Sequence, residues 1–158
     1  MFSGISALSL DAKGRMTLPT RYRDALHQAS AGQVALLESN DGCLLLMPYD
    51  QWSRRVERLT QAGDQRSRAS QEDSLDHELD WDDDTGQERR RFWLGLSDTP
   101  ELDSAGRILL NPVLREGAGI GREVMLLGVG SHFELWDPAR LSVHKEQVRA
   151  RKFRGGRD

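Results

Sequence analysis

Asp11, Lys13 and Arg15 fall within five residues of each other in the stretch LDAKGRMTLP, and Asp103 and Arg107 recur at the same spacing in LDSAGRILLN. An arginine fork carried on a tight loop can grip phosphate oxygens, or pair bidentately with O6 and N7 of guanine in the major groove. An aspartate four residues earlier can pre-orient that fork. The same pair can also serve structure alone, as an ion pair that keeps the loop closed, and the two roles are compatible. The charge around the first loop favours an anionic ligand, because Lys13, Arg15, Arg21 and Arg23 cluster within a dozen residues.

Other chemistry is weakly supported. The four histidines, His27, His77, His132 and His144, stand in different contexts without ligand spacing. Asp82-Asp83-Asp84 could hold a divalent cation loosely, but it lacks the glycine and terminal glutamate spacing of an EF-hand and reads as a solvated charge run. Gly117-x-Gly119-x-Gly121 has neither a preceding strand nor the Lys-Ser/Thr of a phosphate loop. Cys43, the sole cysteine, lies in the apolar run CLLLM as a small hydrophobe and excludes both an internal disulfide and a cysteine-cluster zinc site. Trp52, Trp93 and Trp136 read as core or interface anchors, whereas Trp81 sits within the acidic run. These residues predict no enzyme, no metal site, no cofactor and no small-molecule substrate.

The overall charge conceals a segregation. The chain of 158 residues carries a formal net charge of −3, but residues 71–88 hold nine acids and no Lys or Arg. Residues 1–70 carry nine bases against seven acids, and residues 89–158 carry thirteen against nine. Outside the acidic stretch the protein is therefore basic, which makes an anionic macromolecule a plausible partner. No apolar run approaches the roughly 18 residues needed to span a bilayer, and Met1-Phe2-Ser3-Gly4 does not open a secretory signal. The expected location is a reduced cytoplasm without membrane contact.

The loops must be positioned by a duplicated framework. An offset of 92 lays Leu10, Asp11, Gly14, Arg15 and Arg23 onto Leu102, Asp103, Gly106, Arg107 and Arg115. Further on, VALLES from Val34 lies opposite VMLLGV from Val124, and CLLLMPYDQW opposite HFELWDPARL. Each unit reads as a short strand, the Asp-x-x-Gly-Arg turn, a second strand (Met16–Leu18 or Ile108–Leu110), a short helix, a hairpin and a longer amphipathic helix. Asn111-Pro112 signals a helix start, and Gly117 to Gly121 its end. The hairpin turns are predicted at Asn40-Asp41-Gly42 and at Gly128 to Ser131. The class is mainly β with short helices (α+β), divided into an N-terminal half (1–62), a polar and acidic linker (63–88), a C-terminal half (89–150) and a frayed basic tail (151–158). At the end of the linker, Glu88 to Leu96 is expected to resume as a helical turn or two.

The start MFSG, the paired motifs in LDAKGRMTLPTRYRDAL and LDSAGRILLNPVLRE, and the run VMLLGVGSHFELWD together resemble the MraZ family of bacterial transcriptional regulators. The resemblance covers nearly the whole chain except the acidic stretch and the extreme C-terminus. It implies an AbrB-like fold, a duplicated swapped-hairpin, double-split β-barrel whose halves form an intramolecular pseudo-dimer. It further implies ring-like homo-oligomers at the nucleoid that bind closely spaced, G-rich direct repeats in double-stranded promoter DNA, as a repressor of the division and cell-wall gene cluster. Carried over by residue, the DNA-facing loop holds Asp11, Lys13 and Arg15, with Arg21 and Arg23 as phosphate contacts. The second motif keeps Asp103 and Arg107, but Ala105 replaces lysine and Val113 replaces arginine, so the N-terminal half should carry the main site. Glu72 to Glu88 looks like an insertion relative to typical members. The alternative is a ring-forming scaffold that binds a protein through the acidic linker.

Overall fold

A computed structural model describes residues 1–64 and 84–155. Trp81, the aspartates at 82 and 83 and most of the acidic stretch lie outside the described residues. The strands are β1 (Phe2–Ser9), β2 (Arg15–Thr17), β3 (Val34–Glu38), β4 (Leu44–Pro48), β5 (Ser97–Asp98), β6 (Arg107–Leu109), β7 (Glu123–Gly130) and β8 (Phe133–Trp136). The helices are α1 (Thr20–Ser30), α2 (Tyr49–Asp64), α3 (Asp84–Arg90), α4 (Pro112–Gly117) and α5 (Pro138–Gly155), and a π-helical turn, Arg91–Gly95, follows α3. The architecture is mainly β with short helices, as expected.

Local chemistry accounts for several boundaries. Asn111 caps α4 by accepting a 3.0 Å hydrogen bond from the Val113 amide, and Pro112 begins the helix where its missing N–H costs nothing. Asp137 starts α5 in the same way, accepting from the Arg140 amide at 3.1 Å. The β3–β4 hairpin turns at Asn40-Asp41-Gly42 as predicted. The second hairpin differs: β7 runs on through Gly128 to Gly130, and the chain turns at Ser131-His132. Gly128 marks a close backbone approach instead of a turn, since a Cβ there would lie 2.5 Å from the Ser3 amide nitrogen. The basic end, expected to fray, is helical as far as Gly155.

Six antiparallel strands form one sheet in the order β1-β7-β8-β4-β3-β5, and β2 pairs with β6 in a separate two-stranded ribbon. Each of the first four strands thus has a partner from the second half: β1 with β7, β2 with β6, β3 with β5, and β4 with β8. The ribbon's register places Arg15 opposite Leu109, Met16 opposite Ile108 and Thr17 opposite Arg107. It is extended at both ends by the Leu18 amide donating to Gly106 O (2.9 Å) and the Leu110 amide donating to Gly14 O (3.1 Å).

The main core is shared. Leu10, Met16, Leu18, Leu26, Leu36 and Leu46 pack with Leu102, Ile108, Leu110, Val124, Phe133 and Leu135 in one buried cluster. Phe2, Tyr22 and Phe133 close one part of it with ring centroids 4.3–5.9 Å apart. Tyr22 also donates its hydroxyl hydrogen to the Ser3 carbonyl, which satisfies the polar end of a buried ring. Trp52 and Trp93 pack on a second cluster of Ala35, Leu37 and Met47, and Trp136 is buried beside Cys43 and Leu141.

Candidate nucleic-acid interface

The two Asp-x-x-x-Arg turns have the same internal wiring. Asp11 Oδ1 accepts from the amides of Lys13 and Arg15, each at 2.9 Å, while Oδ2 accepts from Arg15 Nε at 2.7 Å. Asp103 Oδ1 accepts from the amides of Ala105 (2.9 Å) and Arg107 (2.8 Å), and its Oδ2 accepts from Arg107 Nε at 2.7 Å. The glycines take φ of +83° at Gly14 and +76° at Gly106, a left-handed conformation that reverses the chain over the carboxylate. Both carboxyls are held below the ordinary aspartate value. The backbone amide of Arg15 or Arg107 is the main cause, with the same arginine's guanidinium and a second turn amide adding to it.

Each ion pair uses Nε, the inner nitrogen of the guanidinium. The Nη groups of Arg15 and Arg107 make no hydrogen bond among the described residues, so each fork keeps donors for an outside acceptor. Pairing of β2 with β6 brings the two arginines onto one surface. Met16 and Ile108 are fully buried beneath the ribbon, and the period of two therefore turns Arg15, Thr17, Arg107 and Leu109 to the other face. Arg15 and Arg107 occupy a diagonal of that face, a separation of about 7–8 Å between backbones.

The remaining predicted residues are placed differently. Lys13 is exposed at the tip of the first turn. Arg21 is exposed with its guanidinium 4.6 Å from the Tyr22 ring centroid, near Gly4 of β1. Arg23 is half-buried; its Nε donates to Leu18 O at 2.8 Å, and its side chain lies against Gly106 in the turn of the other half. Its counterpart, Arg115, crosses in the opposite direction to Gly14. Arg115 and Arg122 both stand beside the first turn, with Leu10, Asp11, Ala12 and Gly121, around a cleft of about 370 Å³. Sequence reasoning assigned neither arginine a role. The offset of 92 aligns Arg115 with Arg23, yet only the tertiary fold shows that each reaches the opposite turn.

Away from this face, burial raises the Cys43 thiol to about 11, and Ser39 Oγ lies 3.1 Å from its sulfur. That thiol stays protonated at neutral pH and is a poor nucleophile. No helix among the described residues is long and apolar enough to cross a membrane.

The family model of the MraZ protein, an antitoxin-like family, matches residues 1–74 and 94–153. The chain belongs to the MraZ family. The transcriptional regulator MraZ of Ralstonia nicotianae is 44% identical over 148 residues, which cover 94% of this chain and 89% of that protein. The transcriptional regulator MraZ of Burkholderia mallei is 47% identical over the same length and the same shares. That of Cupriavidus pinatubonensis is 42% identical over 150 residues, 95% of this chain and 92% of its own. Both Asp-x-x-x-Arg turns lie inside the two MraZ-matched segments, and the gap between those segments falls on the acidic stretch.

Proposed function

We propose that this chain is a sequence-specific DNA-binding transcriptional regulator, a repressor of the division and cell-wall gene cluster that acts at the nucleoid in the cytoplasm. In this reading, the Asp-x-x-x-Arg turns bind closely spaced G-rich direct repeats, and the working unit is a ring-like homo-oligomer. The observation that carries it is the pair of turns on one ribbon, each arginine held by its Nε while its Nη groups make no hydrogen bond among the described residues. A two-stranded ribbon is one of the elements that the major groove admits, and a held fork is what bidentate pairing with guanine requires. The names of the relatives support the regulatory role, and the cross-half strand pairing supports a double-split barrel built as an intramolecular pseudo-dimer.

The size of the site supports the oligomeric reading. Two good bidentate contacts give about 2–6 kcal/mol of base discrimination, against the roughly 4–10 kcal/mol that separates specific from non-specific binding. Several subunits on successive repeats close that gap through high effective concentration.

A gel shift with DNA from upstream of the protein's own gene tests the reading. Arg15→Ala is expected to abolish the specific complex while the circular dichroism spectrum and the oligomer size stay unchanged. An Arg15→Ala variant that bound this DNA as tightly as wild type would overturn the loop assignment.

A further inference from the structure

The two turns share their wiring but not their surroundings. Beside the first turn, the cleft of about 370 Å³ is bordered by Arg115 and Arg122, both from the second half of the chain. At the second turn the matching positions hold Arg23 and Gly32. The match is structural, since the Leu10 amide donates to Arg122 O at 2.7 Å just as the Leu102 amide donates to Gly32 O at 2.9 Å. Arg23 is tied down by its bond to Leu18 O. The Arg115 side chain makes no hydrogen bond or ion pair among the described residues, although the residue is half-buried, and a Cβ on Gly14 would sit 2.6 Å from its Nη1. Arg122 is exposed and has no carboxylate partner among them either. The one acid in the cleft, Asp11, already spends its oxygens on the Arg15 side chain and two amides.

We infer that this cleft is a phosphodiester-binding site. Arg115 and Arg122 hold a backbone phosphate of the DNA strand whose bases face Arg15, so the DNA site of the first half is completed by the second. Two guanidiniums that border one cleft without protein acceptors can grip an outside anion between them, and a cleft next to a groove-facing loop is where a strand's next phosphate passes. The second turn, with one arginine tied and glycine in place of the other, has no such site. The first turn therefore exceeds the second in affinity by more than the presence of Lys13 explains.

This inference rests on the DNA-binding reading, and salt dependence separates the two. Affinity for upstream DNA is measured across a range of salt for wild type, Arg115→Gln, Arg122→Gln, Arg122→Lys, Arg15→Ala and the remote Arg54→Gln. One phosphate contact contributes about 0.9 to the slope of log K against log salt. Arg115→Gln and Arg122→Gln are each expected to lower the slope by about that amount and to weaken specific and non-specific DNA alike. Arg122→Lys keeps the slope, and Arg54→Gln leaves it unchanged. Full slopes in both glutamine variants, with Arg15→Ala still defective, would overturn the cleft and leave the DNA reading standing. An equal drop with Arg54→Gln would reduce the effect to general charge and also overturn the cleft. A wild-type protein that failed to bind would overturn both.

Discussion

Asp11 and Asp103 each organise a turn by accepting three hydrogen bonds from residues no more than four positions away. Because their carboxyls are depressed in the folded chain, the stabilisation they give is complete above the unfolded value, near 3.8, and is lost as pH falls through the lower folded value. Carboxyl resonances of both residues should therefore titrate below 3.8, with the turn amides moving in step; midpoints at or above that value would contradict the wiring. The glycines give a second prediction. A side chain at either left-handed φ costs about 1–3 kcal/mol. At Gly106 a methyl also collides with Arg23, which is fixed by Leu18 O, whereas at Gly14 it meets only the unbonded end of Arg115. Urea unfolding should thus show Gly106→Ala to be more destabilised than Gly14→Ala, and equal losses would mean that Arg23 is not held.

The ribbon is the element on which the interface depends. Its underside, Met16 against Ile108, joins two segments 92 residues apart in sequence and is sealed from water. Ile108→Ala should cost about 2–5 kcal/mol, the usual range for truncating a buried aliphatic side chain. It should also speed amide exchange at both Gly14 and Gly106, because each turn hangs from the same pair of strands; an effect confined to Gly106 would deny the coupling. Much of the local structure was legible. Asn40-Asp41-Gly42, Asn111-Pro112 and Asp137-Pro138 announce a turn and two helix starts by side-chain chemistry within a few residues. Gly128 departs from the expected turn because a glycine needed for close strand approach looks the same in sequence as one needed for a turn.

On the scale of the molecule, the two halves are inseparable, since a single core takes leucines from both and the strands pair across them. The family match passes over most of the acidic stretch. The family match stops at residue 74 and resumes at 94, and none of the residues of the ribbon or the cleft lies between. Deleting residues 75–83 should therefore leave the melting temperature and the DNA affinity within error of wild type; loss of DNA binding would bring that stretch into the interface. The sequence alone determined that the chain is mainly β and carries the Asp-x-x-x-Arg phrase twice in basic surroundings. Those properties reside in spacing, turn chemistry and charge, all of which are local. Tertiary structure decided that the two turns share one face, that Arg23 braces the opposite turn, and that Arg115 and Arg122 reach the first. Each of these depends on which distant strands pair and in what register, and that is settled by burial of the common core, which no short stretch of the chain contains.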